Sequence, residues 1–222
     1  MCFSPQADVA AAVIVGGIGI ATLRQVRTRR ELIVGSLPLL FALHQFVEAF
    51  VWLGLRGEIS MGVANVAKSL YVLYAYPVLP LIVPIGFYLL EPSARHRRRL
   101  VPFVVLGCII SATLVWQITR QPVVAEIHGH GISYFPNVIF GYPAAIGYIV
   151  ATCGPALFSS RRYLQWFGVA NVVAAATAFA VHRYEFASIW CMYAGLASLL
   201  VYEHFRRQRS FDRRIAAPQL PV

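Results

Sequence analysis

The chain has 222 residues, 59% of them hydrophobic and 13% charged, with a mean hydropathy of +0.65. Soluble domains carry roughly 25% charged residues, so this composition excludes an ordinary water-soluble globule and points to an integral membrane protein. The formal charge of +10 rests on 19 basic residues, all arginine except Lys68; arginines in loops that flank a membrane explain it through topology, and no nucleic-acid partner is implied.

A hydrocarbon core about 30 Å thick takes roughly 20 apolar residues per helix. Seven segments qualify, at about 6–23, 32–55, 60–90, 100–119, 138–158, 163–181 and 187–205, which makes the expected fold an all-α bundle of seven transmembrane helices in a single domain, 1–205, followed by a basic tail, 206–222. The first segment has no Lys or Arg before it and no small-residue cleavage site after it, so it is expected to be retained as a span. Cys2, Cys108, Cys153 and Cys191 have no CxxC spacing. Three of them fall in spans, where cysteine behaves as a small hydrophobe.

The second segment carries the strongest functional signal. At about 100° per residue, Phe41, His44, Gln45, Glu48 and Trp52 share one side of a helix, while Leu39, Leu43, Phe46, Val47, Phe50 and Leu53 cover the other. An acidic side chain at membrane depth costs roughly 2.5–3.5 kcal/mol on insertion scales, so the polar side must face protein, a partner or a pathway.

The third segment is too long for a straight span and contains Pro77, Pro80 and Pro84; it is expected to kink, tilt or break near its inner end. At 1.5 Å per residue, Glu48 and Lys68 lie about 10 and 12 Å below the outer ends of their helices. Lys68, which shares a face with Asn65 and Ser69, is therefore a candidate counter-ion for Glu48, and such a pair would serve either packing or function.

The outer loop, 120–137, holds His128-Gly-His130-Gly and is the natural lid over an outward-facing cavity. His44 and Glu48, at i and i+4, are candidate ligands for a divalent metal together with His128, His130, His182, Glu185 and Asp8, all predicted on the outer side. Gly-Val-Ala-Asn-Val occurs at 62–66 and at 168–172, which would fit an inverted repeat of the kind found in transporters or mere coincidence in a small residue alphabet. No P-loop, dinucleotide glycine fingerprint, HExxH or GxSxG is present. The tail beyond Arg206 is expected to be disordered or to skim the membrane surface.

With the N-terminus outside, fifteen arginines flank the inner ends of the spans, among them Arg24, Arg30, Arg98, Arg161 and Arg209, against three outside, Arg56, Arg120 and Arg183. The positive-inside rule then predicts the N-terminus out and the C-terminus in.

The opening Met1-Cys2-Phe3-Ser4, the Gln45-x-x-Glu48-x-x-x-Trp52 block and Ser188-Ile-Trp190-Cys191-Met-Tyr resemble an uncharacterised family of bacterial multi-pass membrane proteins that open with the same Met-Cys-Phe-Ser. The resemblance implies a compact bundle in the bacterial inner membrane and gives Cys2, Gln45, Glu48, Trp52 and Trp190 a shared task. The span count is also similar to that of the seven-helix metal-dependent membrane hydrolases, but their His-x-x-x-His pair in the last span is absent; here only His204 lies there.

The leading expectation is an outward-facing polar cavity that binds or passes a small ligand, ion or proton, with His44, Gln45, Glu48, Trp52, Asn65 and Lys68 along the path. The alternative is a metal-dependent intramembrane hydrolase acting on a lipid-like substrate, with His44 and Glu48 around a divalent ion that activates water. A third reading is a membrane receptor or partner subunit. Besides the lipid bilayer, the expected partner is thus a small ligand or ion.

Overall fold

The computed structural model describes residues 4–120, 122–129, 131–134, 142–181 and 186–216. The helices are α1 Pro5–Leu23, α2 Leu32–Leu55, α3 Met61–Leu73, α4 Leu79–Leu90, α5 Ala94–Arg120, α6 Tyr142–Leu157, α7 Arg162–Val181, α8 Phe186–Ala197 and α9 Leu199–Ala216; strands β1 Ala125–His128 and β2 Gly131–Tyr134 lie between α5 and α6. Among the described residues, six helical runs are long and apolar enough to cross a membrane: Pro5–Leu23, Leu32–Leu55, Met61–Leu90, Ala94–Arg120, Arg162–Ala180 and Phe186–Asp212. A shorter apolar helix, Ala144–Leu157, lies between the fourth and fifth of these.

Glycines set how closely the helices approach. Gly19 lies against the Leu39 backbone and Gly16 against Ala42, so α1 and α2 run antiparallel with a fixed register. Gly54 meets Ala64 where α2 turns into α3, Gly154 meets Phe103 between α5 and α6, and Gly168 meets Ala156 and Leu157 between α6 and α7. Gly195 of α8 faces Val15 and Phe41, which inserts α8 beside α1 and α2.

The third run bends in its middle, not near an inner end. Residues Tyr74–Val78 form one π-helical turn between α3 and α4. The Leu79 N–H donates to Tyr74 O, five residues back. Ala75 O therefore loses its usual donor, and Pro80, the next residue, has no N–H to offer. The Tyr148 hydroxyl of α6 donates to Ala75 O instead. A side chain from a neighbouring helix thus satisfies a carbonyl that proline has freed, as helices in hydrocarbon require. At the next turn Gly107 of α5 leaves room for the Pro80 carbonyl and the Pro84 ring.

One expectation needs correction. The tail does not leave the bundle at 206: α9 runs on to Ala216 because its charged groups have partners. Glu203 pairs with Arg206 at 2.8 Å and with Arg207 at 2.5 Å, and Arg27 pairs with Asp212 at 3.4 Å. Arg209 donates to Arg24 O and Gln25 O at 3.0 and 2.6 Å, closing off carbonyls just past the end of α1. The two Gly-Val-Ala-Asn-Val segments do not share an environment, which agrees with coincidence in a small residue alphabet. Asn65 is exposed and nothing lies within 4 Å of where a Gly62 side chain would start, whereas Asn171 is buried, donates to Phe167 O and follows a tightly packed Gly168.

Candidate functional site

The polar face of α2 is buried as its spacing requires. His44, Gln45, Glu48 and Trp52 are 3%, 1%, 0% and 3% exposed, while Leu43 and Phe46 on the opposite face are half exposed. The Gln45 amide donates to Glu48 at 3.2 Å, so the carboxylate is held by its own helix.

Other elements complete the centre. The register that sets Gly19 against Leu39 brings fully buried Asp8 of α1 level with Phe50, within a turn of Glu48. Because Gly195 lies beside Val15 and α8 runs parallel to α1, fully buried Ser188 stands level with Asp8. One turn deeper, the Cys191 thiol is hydrogen-bonded to Tyr71 and lies in the electrostatic field of Glu48.

An aromatic column roofs this cluster. Tyr134 of β2 stacks on Tyr71 at 3.9 Å and 9°, Tyr71 stacks on His44 at 4.0 Å and 26°, and Tyr74 in the π turn packs on His44 at 4.7 Å. Such ring pairs contribute about 0.5–1.5 kcal/mol each beyond area burial. The column ties the hairpin to the middle of the bundle through three elements. All four residues of β2 are buried. Gly129 takes φ +56 at its turn, the left-handed region that glycine enters without strain.

Asn65 and Lys68 are not brought to the cluster. α3 turns Ala67, Tyr71 and Val72 inward, leaving Asn65 exposed and Lys68 half exposed, with no ion pair to Glu48 among the described residues. The faces of the His44 ring are taken by Tyr71 and Tyr74, and its Nε2 has no hydrogen-bond partner among the described residues. His128 is exposed on β1; His130, His182 and Glu185 lie outside the described residues, as does Cys2. No three His, Cys, Asp or Glu side chains gather into a metal site among the described residues. The Trp52 ring is stacked by Arg56, with the guanidinium carbon 5.3 Å from its centroid, so the chain itself supplies a cation there.

The α2 spacing identified His44, Gln45, Glu48 and Trp52, and the Ser188–Cys191 block drew attention to α8. Tyr71, Tyr74 and Tyr134 were missed. The i, i+3 spacing of Tyr71 and Tyr74 just before the prolines was the available signal.

By length and composition, six apolar helices around a buried polar cluster define a helical multi-pass membrane protein. More specifically, residues 1–216 match the model of DUF6629, a family of unknown function, and the chain belongs to that family. No curated protein and no solved structure matches it.

Proposed function

We propose that this is a seven-span protein of a bacterial inner membrane, N-terminus out and C-terminus in, that binds and passes a proton or a small protonated ligand at Glu48. The observation that carries the reading is a fully buried carboxylate about 10 Å inside the outer end of its helix, within a turn of a second buried carboxylate, Asp8. A carboxylate at that depth is costly unless it serves a partner or a pathway. Gln45, Tyr71 and Cys191 supply hydrogen-bonding groups around Glu48, and the hairpin separates the cluster from the outer surface. Release and uptake therefore require the Tyr134–Tyr71–His44 column to part.

Vesicles containing the purified protein and an internal pH dye test this. Under an imposed membrane potential the wild-type protein is expected to admit protons, and Glu48→Gln, which keeps the shape and loses the titrating group, is expected to abolish the flux. No voltage-driven proton movement in the wild type, or undiminished flux in Glu48→Gln, overturns the reading.

A further inference from the structure

Beneath the Glu48 cluster lies a cavity of about 30 Å³, bounded by α2, α4, α6, α7 and α8. Phe41 and Leu37, which line it, sit seven and eleven residues deeper on α2 than Glu48, or about 10 and 16 Å along the helix. A single water needs only about 10–15 Å³ of such space, provided that two to four polar groups can bond it.

The walls supply those groups. Asn171 is 6% exposed and spends one amide hydrogen on Phe167 O, leaving its second hydrogen and its carbonyl oxygen. Trp190 is 6% exposed, and its indole N–H has no partner among the described residues. Thr152 donates to Tyr148 O and contacts the Cys153 thiol at 3.9 Å, which leaves it a lone pair, while Cys191 adds a second thiol to the wall. Cys191 belongs to both places: it lines this cavity and is bonded to Tyr71 beside Glu48.

We infer that the cavity is a water site, with Trp190, Asn171 and Thr152 as its hydrogen-bonding partners and Cys191 as its junction with the Glu48 cluster. This inference rests on the proton-passing reading and extends it: the bound water is the next station on the inward path. The site takes water or a species of the same size and no larger substrate. It also gives the second Gly-Val-Ala-Asn-Val segment a task, because Asn171 is the polar wall that its exposed counterpart, Asn65, cannot be.

The test uses full-length protein with Cys2→Ser and Cys108→Ser, so that the remaining S–H infrared band reports Cys153 and Cys191. On transfer to heavy water the band is expected to exchange to S–D without unfolding. In Ala194→Leu, which fills the cavity from its wall, that exchange is expected to be lost. Asn171→Leu, close to isosteric, is expected to keep the fold and lose proton flux in vesicles.

Full flux in a folded Asn171→Leu variant overturns the relay and leaves the Glu48 reading standing. Absence of flux in the wild type overturns the Glu48 reading, and thiol exchange then decides the water site alone. Exchange that is absent in the wild type, or undiminished in Ala194→Leu, overturns the water site whatever the flux shows.

Discussion

At the scale of single side chains, Glu91 shows how a buried carboxylate ties two parts of the fold together. It is 2% exposed at the C-terminal end of α4, where it accepts from the Ser160 N–H at 3.1 Å and the Ser160 hydroxyl at 2.8 Å. Its own carbonyl accepts from Arg97 at 3.2 Å. Glu91 therefore ties the end of α4 to the α6–α7 turn. Glu91→Ala removes both hydrogen bonds to Ser160, at about 0.5–1.5 kcal/mol each, read as a lower unfolding temperature in detergent. Glu91→Gln retains an acceptor and should lose less; equal losses would mean that the charge, not the hydrogen bonds, holds the turn.

Helices in this bundle are shaped by where proline removes hydrogen bonds and by what replaces them. Tyr148→Phe deletes the hydroxyl that satisfies Ala75 O and leaves that carbonyl in apolar surroundings. The expected destabilisation is about 1–3 kcal/mol, measured by thermal unfolding in detergent, and an unaltered midpoint would mean that another donor reaches Ala75 O. Tyr148 also explains a limit of sequence reasoning. Three prolines announce a distortion, but its position depends on a residue more than seventy places away. Asn65 and Lys68 mark a second limit: their height follows from 1.5 Å per residue, whereas the face α3 turns inward is set by packing such as Gly54 against Ala64. The polar face of α2 was legible because one helix carries the whole pattern. The hairpin was not, since four-residue strands give too short an alternation to read.

At the scale of the whole molecule, the proposal of seven spans turns on α6. Its 16 residues span about 24 Å, less than a typical hydrocarbon core of about 30 Å. Yet α6 packs along α5, with Gly147 near Ile110 and Gly154 near Phe103, and the turn that follows it is bonded to Glu91 at the end of α4. A crossing α6 would thus run from the hairpin end of the bundle to the arginine-rich end, with local thinning or flanking residues making up the difference in length. If α6 crosses, β1 and α9 lie on opposite sides of the membrane. Glu126 on β1 and Ser210 on α9 are both exposed and suit a labelling test. In a background carrying Cys2→Ser and Cys108→Ser, intact spheroplasts treated with an impermeant maleimide should label Glu126→Cys and leave Ser210→Cys unlabelled until the membrane is opened. Labelling of both from outside would require an even number of crossings between them and remove α6 or another helix from the set. Labelling of Ser210→Cys alone would invert the protein, placing the arginine-rich end outside against the positive-inside bias and turning the hairpin cover toward the cytoplasm.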